Sequence, residues 1–143
     1  MKRIFVLSVM AFFLFMSCSK KEVKPVSMES LTAQEAIETI EKVKTAYIKK
    51  DESSLRRYTS EEGFSSNFTV KSMGFSSAEL SFTPLWVDIK GGTVQVQISW
   101  TGKWVYHGQS IGEKGVAGFV LTGSPYRMNM VLKDNPFTVV AGK

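Results

Sequence analysis

The apolar period of this chain changes once along its length, and that change limits the folds open to it. Apolar side chains recur at Ala33, Ala36, Ile37, Ile40, Val43, Tyr47 and Ile48, the spacing of one helical face. From Leu80 onward the period is two. Val94, Val96, Ile98 and Trp100 alternate with Gln95, Gln97 and Ser99, as along a strand with one buried side. No helical pattern separates the later strands, so they pair antiparallel. The chain is therefore α+β, with N-terminal helices packed on one face of an antiparallel meander sheet. A strongly curved sheet around a long helix leaves a cone-shaped interior.

Local signals divide this plan into elements. Thr32 with Glu35 forms a capping box, which predicts a helix from about Ala33 to Lys50. Asp51 caps a short helix over Glu52 to Tyr58, with Leu55 and Tyr58 inward and Glu61-Glu62-Gly63 as its breaker. Leu80 to Ile89 reads as a strand that Pro84 forces to an edge or a bulge. Gly91-Gly92 makes a hairpin turn, and Gly102 falls in the expected next turn. Lys103 to Gln109 follows, with Trp104 and Tyr106 on one side and Val105 and His107 on the other. Gly115 to Leu121 and Tyr126 to Leu132 complete the sheet, joined by Thr122-Gly123-Ser124-Pro125.

The start of the chain has another purpose. Lys2 and Arg3 precede an apolar run, Ile4 to Met16, interrupted only by Ser8. Thirteen residues are too few for a spanning helix, which needs about 20, but they suit a secretory signal. Leu14-Phe15-Met16-Ser17-Cys18 resembles the lipobox of bacterial lipoproteins, with Phe15 where that family usually has Leu. The resemblance implies cleavage before Cys18 and acylation of Cys18 with chains such as palmitate. It also implies lipid anchoring in the cell envelope, with Ser19 pointing to the outer membrane rather than the inner. Residues 1–17 are then the signal peptide, 18–30 the lipidated cysteine and a flexible tether, and 31–143 the domain. Cys18 is the only cysteine, so the domain holds together by its core without disulfides.

Charge excludes one class of partner. The formal charge is +5, but Lys2 and Arg3 leave with the signal, and Lys20, Lys21 and Lys24 lie in the tether. From Met28 onward the chain carries 13 basic and 12 acidic residues. A nucleic-acid module needs a concentrated basic face, so nucleic acid is not expected as a partner. The tether lysines suit anionic headgroups instead.

Two stretches, AYIKKDESSLRRYTSEEGF and GVAGFVLTGSPYRMNMVLKDNPF, resemble the helical opening and last strands of the nuclear transport factor 2-like superfamily. That resemblance implies the cone fold, a homodimer through the sheet face as one arrangement, and a scaffold that binds ligands or catalyses isomerisation. Six aromatics, Trp86, Trp100, Trp104, Tyr106, Phe119 and Tyr126, are placed to wall a pocket for an apolar small molecule, or to fill the core. For catalysis the candidates are His107 and Asp88 as general bases. A ketosteroid isomerase site needs an aspartate base with a tyrosine and a protonated acid, and the residues here do not reproduce that set. One histidine and one cysteine do not make a zinc site, and five glycines between Gly102 and Gly118 lack phosphate-loop spacing. No metal or cofactor is expected. Asn67-Phe68-Thr69 matches a glycosylation sequon, idle in a bacterium. The leading expectation is a non-catalytic ligand- or protein-binding envelope module. The alternatives are a small acid–base pocket enzyme and a structural subunit of an envelope complex.

Overall fold

The structure, a computed structural model, describes residues 26–140. The signal segment, Cys18 and most of the expected tether lie outside the described residues. Three helices pack on a four-stranded antiparallel sheet of order β1-β2-β3-β4, the α+β meander expected from the sequence.

Helix α1, Met28–Lys49, begins five residues before the expected Ala33. Ser27 rather than Thr32 caps it, its hydroxyl accepting from the Ser30 N–H at 3.1 Å. No Gly or Pro stands between Ser27 and Thr32 to stop the earlier cap, so Met28, Glu29 and Ser30, expected in the tether, form the first turn. Ala36, Ile40, Val43 and Tyr47 bury the face that the periodicity predicts. Lys50, at φ 55°, ends the helix in the left-handed conformation. Helix α2, Glu52–Tyr58, has the predicted bounds. The Ser54 hydroxyl and N–H both donate to the Asp51 carboxylate, which holds it below its ordinary pKa.

Glu61-Glu62-Gly63 does not break the chain. It opens helix α3, Glu61–Asn67, capped by Ser60. Gly63 is there for close approach: a Cβ at this position would run into the Met128 carbonyl oxygen and stand 2.9 Å from that of Asn129. The sequon asparagine is also structural, since the buried Asn67 amide donates to the Gly63 carbonyl at 2.6 Å.

Strands β1, Ser77–Lys90, β2, Thr93–Tyr106, and β3, Gln109–Thr122, are each 14 residues long, while β4, Arg127–Lys133, is half that. Pro84 lies on edge strand β1 beside a register shift between Pro84 and Trp86, so both of its expected accommodations occur. Gly91-Gly92 turns with φ of 54° and 80°, the doubly positive hairpin geometry. Gly102 is not in a turn. It sits inside β2 beneath the Trp104 ring, and a Cβ there would overlap the ring and approach Leu80 Cδ2 to 2.8 Å. The turn lies instead at His107-Gly108, with φ of 49° and 81°. His107 is therefore an exposed hairpin residue, not a strand residue.

The core lies between α1 and the sheet's inner face. Tyr47 is at its centre, with ring centroids 5.0 Å from Phe137, 5.1 Å from Phe75 and 6.0 Å from Phe68. Lys133, the last residue of β4, adopts φ 65°, and the Asp134 carboxylate that follows accepts from the Val116 N–H of β3 at 3.1 Å. A 3-10 turn, Pro136–Thr138, then drives Phe137 into the interior. Gly63→Ala tests the α3–β4 approach. It is expected to lower stability by about 1–3 kcal/mol through overpacking, read from the urea midpoint at unchanged m.

Candidate functional site

The concave side of the sheet is where the sequence places a pocket, so its occupants decide what the cone can hold. From β2, Val94, Val96, Ile98, Trp100, Trp104 and Tyr106 point inward and are buried. Phe119 from β3 joins them, 5.7 Å from Phe82 and 6.0 Å from Phe137 by ring centroids. Rings at such separations touch edge to face or tilted, and they occupy the interior themselves.

Polar atoms among these rings are all satisfied within the protein. The Trp104 indole donates to the Tyr47 hydroxyl at 3.0 Å, and that hydroxyl donates to the Ser72 carbonyl at 3.0 Å. Burial pushes the Tyr47 phenol far above its ordinary pKa; the Trp104 donor partly offsets this, and nearby Tyr106 adds to it. Burial also raises Tyr106. The Tyr106 hydroxyl donates to the Val139 carbonyl at 2.7 Å, and the Trp100 indole donates to the Asp134 carbonyl at 2.7 Å. Trp100 and Tyr106 thus clip the segment 134–139 across the mouth of the cone, with Phe137 as its plug.

The six aromatics expected to share one wall do not converge. Trp104, Tyr106 and Phe119 are core, and Trp100 is buried at the mouth. Trp86 is 44% exposed on the opposite face of the sheet, because the bulge after Pro84 resets the alternation of β1. Tyr126 is half-buried in the β3–β4 turn, its N–H directed at Glu35 Oε1 at 3.4 Å. Beside the plug an open cleft of about 580 Å³ remains, lined by Trp100, Ile111, Glu113, Lys114, Asp134 and Val139 among others. A second groove of about 540 Å³ runs between α1 and α2 over Ile37, Ala46 and Tyr58.

The two candidate bases are far apart. Asp88 is on the outer face, its carboxylate accepting from Lys90 Nζ at 2.7 Å. His107 is in the hairpin at the other end of β2, twelve residues beyond Asp88's partner Gln95, or about 40 Å of strand. Neither stands in the interior. Among the described residues no three His, Cys, Asp or Glu side chains come together as a metal site.

What sequence reading missed is the plug. Phe137 is buried, and the Asn135 side chain that accepts from its N–H at 2.9 Å caps the turn that carries it inward. Their partners lie in α1, α3, β1 and β3. The outer face was more legible. Gln95, Gln97 and Ser99 are half-buried there, and the register aligns Trp86, Gln97, Gly118 and Leu132 across all four strands. Asp88, Gln95, Val120 and Met130 form the next row.

No family model and no curated relative matches the sequence. Among solved structures, the chain is similar to a nuclear transport factor 2-like superfamily protein from Salmonella enterica serovar Typhimurium. The two are 18% identical with a TM-score of 0.66, over 80% of this chain and 98% of that one. The fold is thus nuclear transport factor 2-like.

The raised phenols set an alkaline limit. The unfolded chain ionises its tyrosines near pH 10 while folded Tyr47 resists, so the unfolded state binds fewer protons above that pH and stability falls as pH rises. Tyr47→Phe is expected to lower stability by about 1–3 kcal/mol at neutral pH, leaving the Trp104 indole unpaired. It should also flatten the loss seen above pH 10, as measured by urea midpoints across that range.

Proposed function

We propose that the protein is a lipid-anchored module of the bacterial cell envelope that works by binding through its surface, with the outer membrane as its site. Its immediate partner is a second copy of itself, held through the outer face of the sheet. The observation that carries this reading is a contrast between the two faces. Inside, packed rings and the Phe137 plug fill the cone. Outside, Trp86, Met130 and Leu132 are 44%, 44% and 37% exposed, with Gln95, Gln97 and Gly118 between them in register.

A patch of aromatic, Met and Leu side chains interspersed with amides has the composition of an interface. A two-fold axis over the sheet would set each row against its copy, as isologous dimers require. The amides of Gln95 and Gln97 supply donors and acceptors to either side without the desolvation penalty of a charge. Asp88 and Lys90, already paired with each other, form the rim. The packed interior favours such a surface partner over an apolar small molecule in the cone, and over catalysis there by His107 or Asp88.

Anchoring rests on the sequence around Cys18. With α1 starting at Met28, nine residues separate the cysteine from the helix, so lipidation would keep the domain close to the bilayer. A role as a subunit of a larger envelope complex is compatible with the same surface and is separated from it by the mass of the purified assembly.

Sedimentation equilibrium tests the dimer. The mature domain is expected to sediment at twice the monomer mass, and Met130→Glu with Leu132→Glu should give a monomer whose thermal midpoint is little changed, both sites being exposed. A wild-type monomer at every concentration would rule out the self-association.

A further inference from the structure

We propose that the first turn of α1 is a membrane-contact surface, in which Val26, Met28 and Leu31 enter the headgroup layer of the bilayer that holds Cys18. This rests on the lipid-anchored reading above. The three side chains are 63%, 77% and 48% exposed. Met28 and Leu31 are three residues apart, hence neighbours on one helical face, and Val26 precedes the Ser27 cap on the same end. Apolar side chains of this size gathered at one helix end mark a contact surface when none of the described residues covers them.

The position of the patch selects a lipid surface as its occupant. Val26 is where the chain arrives from Cys18, eight residues earlier, a span of at most about 28 Å when fully extended. The intervening stretch carries Lys20, Lys21 and Lys24 against one acid, Glu22. Basic residues beside a short apolar turn suit the anionic surface of a bilayer, where charge attraction and shallow apolar insertion act together. Glu29 is the one carboxylate of the turn, and it is exposed. Farther along α1, Glu35 faces the Tyr126 N–H and Glu38 accepts from Gln34, so the apolar face ends at Leu31. Insertion is thereby limited to a single turn. Combined with the lipid, the contact would fix the angle at which the domain stands on the membrane, leaving the outer sheet face to its partner.

The test uses the mature chain with Cys18→Ser, which no acyl chain can hold, sedimented with vesicles of phosphatidylethanolamine and phosphatidylglycerol at low salt. The Cys18→Ser protein is expected to pellet with the vesicles. Adding Met28→Asp and Leu31→Asp should weaken that binding about tenfold or more. An aspartate in the first turn complements the helix dipole, so the helix is retained, as circular dichroism will show. Val70→Asp, at a loop side chain 94% exposed, is the control and should leave binding unchanged. The proposal is overturned if the Cys18→Ser chain stays in the supernatant, if the paired aspartates change nothing, or if Val70→Asp weakens binding as much. It also falls if the paired aspartates dissociate a dimer without altering vesicle binding, which would assign the turn to a second copy. The anchoring reading is judged separately. Wild-type protein made in bacteria should leave membranes only with detergent, and its release by high salt alone would refute lipidation whatever the vesicles show.

Discussion

The Tyr47 side chain, on the last buried turn of α1, joins every layer of the domain. Its hydroxyl receives the Trp104 indole from β2 and donates to the Ser72 carbonyl, and its ring meets Phe75 and Phe137. A phenol is well suited to this position because one end is apolar and the other pairs in both directions. Remove the hydroxyl and a buried indole loses its acceptor; remove the ring and the plug loses its seat. The long helix, the central strand, the loop before β1 and the closing segment are therefore fixed by one group.

The proposed function follows from what that group closes. A curved sheet around a helix offers an interior, and here Phe137, Phe119 and Trp104 take it up while Trp100 and Tyr106 hydrogen-bond the segment that crosses the mouth. The remaining chemistry is on the outside: an outer sheet face with Trp86, Met130 and Leu132, and a helix end with Val26, Met28 and Leu31. These two surfaces lie on different elements, so the proposed membrane contact and the proposed partner contact would not compete for the same side chains. On the proposed reading, this scaffold acts through its exterior.

Much of the scaffold was legible because its signals are local. The bounds of α2, the hairpin at Gly91-Gly92, the inward set Val94 to Trp100 and the disturbance at Pro84 each depend on residues within a few positions of one another. Gly63 and Gly102 were misread as breaker and turn for the opposite reason. Their meaning comes from Met128 and Trp104, the first far along the chain and the second on the same strand but folded back over it. Helix α3 was hidden by a serine-rich sequence whose helicity depends on the Ser60 cap and on packing against β4. The six-aromatic wall failed because alternation tells which residues share a face only until a bulge intervenes, and Trp86 lies just beyond one.

The closed interior is tested most directly by hydrogen exchange on the intact protein, comparing the Phe137 amide with amides of β2 such as Val96. If the plug is part of the core, Phe137 exchanges only with global unfolding, as slowly as the central strand. Fast exchange at Phe137 with Val96 still protected would mean that the mouth opens in the native state. The cone would then be a pocket after all.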